Sequence, residues 1–309
     1  MDQFEIAKQF FSQNQIAYLA DEPLMKYTSF KIGGKGKIVV FPSQEEQVKK
    51  VFAYCHEQKI PCLILGNGSN VLISDQGYDG VVLVLGRDFS EISLLDEETI
   101  LATAGASLMK VCRFAQQHGL SGLEFAYGIP ATVGGAVYMN AGAYGGEMKD
   151  VLLYANHIQS DGTVGRFTGE ELDLSYRHSV YSQGGYCVLS AAFRLKKGDR
   201  EEIQQKMDDF LNRRREKQPL EYPSAGSTFK RPEGAYAAKL IEDCGLKGVK
   251  VGGAQVSEKH SGFLINADHA TCEDVLALIR LVQQKVKEQT GFTLECEVRR
   301  IGSGMEDHK

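Results

Sequence analysis

The sequence predicts an α+β protein of two domains, and three observations support this prediction. The chain has 309 residues, and at about 100–200 residues per domain this length favours two domains. Strand and helix signals mix over the first 200 residues without the regular β-α-β order of a doubly wound sheet. A polar connector at 196–199 then precedes a second group of elements. We therefore expect domains at 1–200 and 201–309, with the boundary near residue 200.

Composition and charge exclude several classes of protein. Lys+Arg 35 against Asp+Glu 40 gives a net charge of −5, which disfavours a non-specific nucleic-acid binder. No apolar run exceeds five residues, whereas a membrane-spanning helix needs about 20. The first residues lack the basic region and apolar core of a secretory signal. The seven cysteines are odd in number and widely spaced, which argues against a disulfide framework. We expect a cytoplasmic monomer without nucleic-acid or membrane partners.

Local patterns predict the elements of the first domain. A capping box at 43–46 opens a helix with one apolar stripe of Val48, Val51, Phe52 and Cys55. Short apolar strands follow at 62–65 and 81–85, and a second helix spans about 107–119, where Ser107 is its expected cap. The stretch 151–195 is rich in strand signals, with a turn at Ser160-Asp161-Gly162.

The second domain begins with a charged helix at 201–218, followed by a Gly/Ser/Pro loop at 223–234. A helix near 236–244 and strands around 249–256 and 262–266 are expected next. Thr271 begins the last helix, which Gly291 closes. The final segment, Phe292 to Arg299, alternates strictly between apolar and polar residues, which predicts a strand.

Several catalytic signatures are absent from the sequence. No P-loop motif and no Gly-x-Ser-x-Gly elbow occur. Gly66-Asn67-Gly68 resembles a Rossmann turn, but Val71 occupies the place of the third glycine. The seven histidines do not cluster in sequence, so no metal site is expected.

Two glycine-rich loops of the first domain are candidate anion sites. Gly66–Asn70 follows a strand, and its successive N–H groups could form a concave nest for a pyrophosphate. In 128–136, Pro130 could lie in the first turn of a helix whose free N–H groups favour a phosphate. Either loop alone could be a tight turn. The two together favour a dinucleotide site.

Six motifs in fixed order carry a resemblance to a known family. They are Gly66–Asn70, the Gly-Ile-Pro-x-Thr-Val-Gly-Gly-Ala segment at 128–136, Asn140–Gly145, Ser175-Tyr176-Arg177-x-Ser179, Ala225-Gly226-Ser227-x-Phe229-Lys230-x-Pro232 and Glu297-Val298-Arg299. Over about residues 25–302 the chain resembles the UDP-N-acetylenolpyruvoylglucosamine reductases, flavoenzymes of bacterial peptidoglycan synthesis. Only residues 178–226 separate Arg177 from Ser227, which resembles the shorter (type II) form of the family.

The resemblance implies a two-lobed FAD-binding domain of the vanillyl-alcohol-oxidase (PCMH) type, followed by a smaller α+β substrate domain. It implies that NADPH reduces FAD, which then passes hydride to UDP-N-acetylglucosamine enolpyruvate to give UDP-N-acetylmuramate. The FAD is expected to be non-covalent and to be held by residues of the two glycine loops. These residues are Gly66, Asn67, Gly68, Ser69, Asn70, Gly128, Ile129, Pro130, Thr132, Val133, Gly134 and Gly135.

The resemblance also implies roles for individual side chains. Ser227 would donate the proton that completes the reduction, although a serine hydroxyl is a poor acid and needs a basic enolate. Arg177 would bind the substrate carboxylate with its fork of donors, and Glu297 would help to polarise or protonate the same group. Glu295 lies on the same face of the predicted strand, so periodicity alone does not select Glu297. Lys247 is the expected phosphate partner.

Two other function classes stay open at this point. One is a different FAD-dependent oxidoreductase of the same fold, acting on a small hydroxy acid, which would have no need of the proton donor Ser227. The other is a non-catalytic module that binds a nucleotide sugar, which an absorption spectrum without flavin would reveal.

Overall fold

The computed structural model describes residues 2–302. Within that range the α-helices are α1 (Gln3–Gln13), α2 (Glu45–Glu57), α3 (Leu108–Gln117), α4 (Val133–Tyr138), α5 (Arg200–Lys217), α6 (Ala237–Asp243) and α7 (Cys272–Thr290).

The strands in the same range are β1 (Ala17–Pro23), β2 (Lys35–Phe41), β3 (Cys62–Leu65), β4 (Val71–Ile73), β5 (Tyr78–Val84), β6 (Ile92–Leu94), β7 (Thr99–Thr103), β8 (Leu120–Ser121), β9 (Gly142–Ala143), β10 (Gly146–Glu147), β11 (Leu152–Gln159), β12 (Val164–Thr168), β13 (Tyr186–Arg194), β14 (Lys196–Lys197), β15 (Ser224–Ser227), β16 (Lys250–Val251), β17 (Ala254–Val256), β18 (Phe263–Asn266) and β19 (Arg299–Ile301). Helices and strands are therefore mixed along the chain, as the predicted α+β class requires.

The chain divides into two compact units, neither of which is continuous in sequence. The first unit comprises 1–20, 37–67 and 80–213, and the second comprises 21–36, 68–79 and 214–309. The expected division into functional domains near residue 200 stays a prediction. The compact units differ from it because two short segments from the N-terminal part of the chain belong to the second unit.

Two sheets form the framework of the first unit. A four-stranded sheet has the order β1-β2-β5-β3, in which β3 and β5 are parallel. A five-stranded antiparallel sheet has the order β12-β11-β13-β7-β6. Their apolar faces and helices α2, α3 and α4 share one core, in which Val81, Leu83, Val111 and Val133 are fully buried.

The second unit has a core of its own around the long helix α7. Its antiparallel sheet has the order β15-β18-β17-β16, and a parallel pair joins β19 to β4. Phe30 and Leu72, from the two short segments, are buried in the same cluster as Val275 and Leu278 of α7. Asp75 also anchors α7, because its carboxylate accepts the N–H of Cys272 at 2.9 Å, at the start of the helix.

Several predicted elements are confirmed. The last helix has Thr271 as its N-cap in a capping box with Asp274, and Gly291 ends it in a left-handed conformation with φ +79°. Helix α3 follows Ser107, but the serine side chain makes no capping hydrogen bond. The turn at 160–162 joins β11 to β12 as predicted.

Two local predictions were wrong in detail. The capping box at 43–46 does not form, since the N-cap is Gln44 and the N–H of Ser43 donates instead to Gln47 Oε1 at 2.8 Å. The segment 292–298 keeps its alternating burial but is not a strand. It makes a single antiparallel bridge, between Phe229 and Cys296, because most of its length has no neighbouring strand to pair with.

Among the helices of residues 2–302, none combines the length and the apolar character that crossing a bilayer requires.

Candidate functional site

The loop 66–70 presents a row of backbone donors. It follows β3, and Gly68 has φ +58°, the left-handed conformation that lets successive N–H groups converge. Within the described residues, no protein acceptor faces the N–H groups of Gly66, Asn67, Gly68 or Ser69. Four consecutive donors of this kind could form an anion-binding nest, and anion binding by this loop stays a prediction.

The position of Gly68 is fixed by Tyr27 and Ser29, which belong to the segment 21–36 of the second unit. A Cβ at this position would overlap the carbonyl oxygen of Tyr27, so the close approach requires glycine. Ser29 holds the Gly68 carbonyl with its N–H at 3.1 Å, and its hydroxyl donates to the Ser224 carbonyl at 2.6 Å. Sequence reasoning missed Ser29, because its partners lie 39 and 195 residues away.

The second loop, 128–136, differs from its prediction. Helix α4 begins at Val133 with Thr132 as the N-cap, so Pro130 precedes the helix and does not lie in its first turn. The expected free N–H groups are also occupied. Val133 donates to Ala106 O and Gly134 to Ala104 O, each at 2.8 Å, and Gly135 donates to Thr132 Oγ1 at 3.4 Å. The start of this helix is therefore not an open phosphate site.

The structure nevertheless brings the two loops together. Asn67 Nδ2 donates to the Pro130 carbonyl at 3.1 Å. A Cβ at Gly66 would overlap Thr132 Oγ1. The second loop therefore supports the first, and the donors of 66–69 suit a group with clustered negative charge such as the pyrophosphate of a dinucleotide.

Ser227 ends the edge strand β15, which reaches it through a bulge. The next residue, Thr228, is held on both sides: its N–H donates to Gly262 O at 2.8 Å, and its carbonyl accepts the N–H of Glu297 at 2.8 Å. Its hydroxyl also accepts the N–H of Leu264 at 3.1 Å. Ser227 is half-buried, and this paired backbone fixes its position.

Glu297 follows Cys296, which bridges to Phe229, and its N–H donates to the carbonyl of Thr228, the residue after Ser227. Asn70 Nδ2 donates to the Glu297 carbonyl at 3.2 Å. Glu295, the alternative glutamate, is 71% exposed and pairs with Lys230 at 3.1 Å. Glu297 is half-buried, so the two glutamates differ in exposure.

Arg177 belongs to the first unit and has a strained backbone. Ser175 and His178 exchange backbone hydrogen bonds, at 3.2 and 3.1 Å, across a two-residue turn. Within this turn Arg177 has φ +56°, which costs a non-glycine residue on the order of 1–3 kcal/mol. Glycine or asparagine is the usual residue at such a position. The two backbone hydrogen bonds of the turn hold Arg177 in this conformation.

Lys247 lies at the surface of the second unit. Its ammonium group pairs with Glu242 Oε1 at 2.7 Å, and the lysine side chain is 36% exposed. Exposed pairs of this kind contribute little to stability. Lys247 can therefore exchange this carboxylate for another anion at small cost.

Comparison with known proteins identifies both parts of the chain. Residues 36–168 match a family model described as an FAD binding domain. Residues 218–301 match one described as UDP-N-acetylenolpyruvoylglucosamine reductase, C-terminal domain. The first match confirms the predicted FAD-binding domain and cofactor.

Full-length relatives carry the same name. A UDP-N-acetylenolpyruvoylglucosamine reductase of Clostridium novyi is 53% identical over 287 residues, 92% of each chain. That of Syntrophomonas wolfei is 49% identical over 282 residues, 91% of this chain and 94% of the relative.

A solved structure agrees with them in fold and in extent. The crystal structure of the reductase (MurB) from Thermus caldophilus is 35% identical, has a TM-score of 0.78, and covers 92% of this chain and 98% of that one. With an FAD-binding domain in its first half and relatives matched over nine-tenths of its length, the chain belongs to the UDP-N-acetylenolpyruvoylglucosamine reductase family of FAD-dependent oxidoreductases.

Proposed function

We propose that this protein reduces the enolpyruvyl group of UDP-N-acetylglucosamine enolpyruvate, with NADPH as electron donor, to give UDP-N-acetylmuramate for peptidoglycan synthesis. Family membership supports the reaction, and the structural observation that carries it is the hydrogen bond from the Glu297 N–H to the carbonyl of Thr228, the residue after Ser227. A cytoplasmic monomer is part of the same proposal.

Bound FAD would supply the hydride transfer between NADPH and the enolpyruvyl carbon. The four N–H groups of residues 66–69 would hold its pyrophosphate without competition from a protein acceptor in the described chain. The loop 128–135 would contribute by packing, since Pro130 and Thr132 fix the first loop from behind. In this proposal FAD is bound without a covalent link to the protein.

Ser227 would donate the proton that completes the reduction. Hydride addition leaves a basic enolate, and only a basic acceptor can take a proton from a hydroxyl as weakly acidic as that of serine. Such a transfer depends on position more than on acidity. The hydrogen bonds of Thr228 to Gly262 and Glu297 provide that fixed position.

Arg177 and Glu297 would act on the carboxylate of the enolpyruvyl group. The planar guanidinium offers two parallel donors to a carboxylate whose negative charge grows during hydride addition. Glu297 would hydrogen-bond the same group and help to polarise it. The exposed Glu295 is engaged with Lys230, which supports the choice of Glu297. Lys247 would contact a phosphate of the nucleotide sugar.

An anaerobic spectroscopic experiment tests the proposal. The purified protein should show a flavin absorption band that NADPH bleaches, and UDP-N-acetylglucosamine enolpyruvate should restore it in one turnover. A small 2-hydroxy acid should neither bleach nor restore the band. Bleaching by the hydroxy acid would assign the chain to the other class of oxidoreductase, and a colourless protein that cannot be reconstituted with FAD would exclude a flavoenzyme.

A further inference from the structure

Asn140 is a buried polar residue that the proposed chemistry does not use. It opens the Asn140–Gly145 motif, is 1% exposed and has φ +41°. Asparagine tolerates this left-handed conformation better than most residues. A buried amide must also find partners for its donors and its acceptor, so the contacts of Asn140 show what it holds in place.

The amide of Asn140 joins three separate groups. Its Nδ2 donates to Glu147 Oε2 at 2.8 Å and to the Ser175 carbonyl at 2.9 Å. Its Oδ1 accepts the N–H of Lys149 at 2.9 Å. Glu147 and Lys149 are near neighbours in sequence, whereas Ser175 lies 35 residues away. The bond to Ser175 is therefore the one that links Asn140 to a distant part of the unit.

The Ser175 carbonyl is the first acceptor of the turn that contains Arg177. It accepts the His178 N–H at 3.1 Å as well as the Asn140 amide, which uses both lone pairs of this oxygen. On the far side of the turn, the fully buried Ser179 donates its hydroxyl to the Tyr138 carbonyl at 2.8 Å. Both flanks of the strained Arg177 are thus tied to the stretch 138–140.

We propose that Asn140 is a positioning residue for Arg177, acting through the Ser175 carbonyl. A left-handed arginine is held only where its surroundings over-determine the backbone, and the Asn140 and Ser179 hydrogen bonds supply that constraint. The inference rests on the proposed role of Arg177 as the carboxylate ligand. Displacement of a binding group by about 1 Å can cost on the order of 100-fold in rate, so a relaxed turn would slow substrate reduction without removing any contact to the substrate.

Asn140→Asp removes the hydrogen-bond donor of the side-chain amide and so tests its contribution. Aspartate has the same shape, tolerates positive φ and keeps an acceptor for Lys149, but it cannot donate to Ser175 and places a second carboxylate beside Glu147. We expect flavin reoxidation by the enolpyruvyl substrate to slow about 10- to 100-fold and KM for that substrate to rise. Flavin content and flavin reduction by NADPH should stay within about twofold of wild type, because neither needs Arg177.

A double-mutant cycle with Arg177→Lys separates positioning from general disruption. If Asn140 acts through Arg177, adding Asn140→Asp to Arg177→Lys should slow reoxidation by less than about threefold more. Full additivity, or equal slowing of both half-reactions, would overturn the inference. Reoxidation at the wild-type rate in Arg177→Lys alone would instead refute the proposed role of Arg177, so the two failures are distinguishable.

Two further variants keep the test decisive. Glu147→Gln is the matched control, since its amide oxygen can still accept from Asn140, and it should reoxidise at close to the wild-type rate. Ser179→Ala loosens the same turn from its other side without burying a charge. If Asn140→Asp does not fold, Ser179→Ala should show the same selective slowing and the same non-additivity with Arg177→Lys; additive behaviour would overturn the inference.

Discussion

Glu297 donates its backbone N–H to the carbonyl oxygen of Thr228 at 2.8 Å, so two residues almost 70 positions apart lie on adjacent antiparallel segments. The bond fixes the backbone that carries Ser227 relative to the backbone that carries Glu297. The proposed proton donor and its proposed acidic partner thus lie on backbone segments that are hydrogen-bonded to each other, which would hold both in position during catalysis.

Ser227→Ala should separate the two half-reactions. NADPH reduces the flavin before any enolate exists, so flavin bleaching should proceed at close to the wild-type rate. Reoxidation by the enolpyruvyl substrate should slow by at least about 10²–10⁴-fold, the usual contribution of a general acid. Stopped-flow absorbance of both half-reactions measures this difference. Equal slowing of the two would mean that Ser227 supports the flavin site or the fold.

Arg177→Lys should impair catalysis without impairing stability. Lysine keeps the positive charge but replaces a two-pronged donor by a point charge, so we expect reoxidation by the enolpyruvyl substrate to slow about 10- to 100-fold. Arginine and lysine have the same backbone strain at φ +56°, so the melting temperature of the variant should change little. Wild-type reoxidation in this variant would remove Arg177 from the proposed mechanism.

Gly66→Ala should lower flavin occupancy. The added methyl group would overlap Thr132 Oγ1 and force the two loops apart, which disturbs the nest at 66–69. The ratio of flavin to protein absorbance in the purified variant measures the loss. Adding Thr132→Ala removes the overlapping oxygen and should restore part of the flavin.

Gly86→Ala is the matched control for that experiment. A Cβ there would have only Val84 Cγ1 nearby, at 4.0 Å, so the purified variant should retain full flavin. Full occupancy in Gly66→Ala, with or without Thr132→Ala, would show that close contact of the loops is not needed to bind FAD.

Asp274→Asn should lower stability in a pH-dependent way. The Asp274 carboxylate accepts the N–H of Thr271 at 2.9 Å and of Gly253 at 3.3 Å. Chiefly through the Thr271 N–H, the pKa of Asp274 lies below its usual value. A lowered pKa stabilises the fold above the normal carboxyl pKa of about 4, and this stabilisation is lost as pH falls through the folded-state value. At neutral pH we expect a loss of about 0.5–1 kcal/mol.

Urea unfolding at neutral pH and near pH 3 checks this expectation, because the difference between Asp274→Asn and wild type should shrink in acid. Thr271→Ala serves as the control: it removes the hydroxyl that accepts the Asp274 N–H at 3.1 Å and should cost about 1 kcal/mol at both pH values. A pH-independent loss in Asp274→Asn would show that its charge does not matter.

Local chemistry predicted the elements whose ends are defined by their own residues. The bounds of α7 follow from Thr271, Asp274 and Gly291, which act within one turn of each end. The segment 292–298 was harder, because alternating burial was visible in sequence while the absence of a continuous partner strand was not. Strand pairing depends on residues far away in the chain, which periodicity does not report.

In the candidate site, too, local features could be predicted from the sequence and long-range contacts could not. The backbone shape of the loop 66–69 was predictable because glycine and its neighbours define it locally, and anion binding there stays a prediction. The helix start within 128–136 was predicted to offer free N–H groups, but Val133 donates to the Ala106 carbonyl and Gly134 to the Ala104 carbonyl. Ser227 and Glu297 were selected only by resemblance to a family, since a loop serine and a polar strand residue carry no distinguishing local signal.

The parallel pairing of β19 with β4 can form only late in translation. Arg299 pairs with Val71 and Ile301 with Ile73, so the ribosome must have synthesised the chain through Ile301 before this pair can form. Until then, Phe30, Ile32 and Leu72 lack the apolar partners that α7 provides, and exposed surface of this kind promotes aggregation. A nascent chain stalled before α7 would therefore have an incomplete hydrophobic core in the second unit, even if the core of the first unit had already formed.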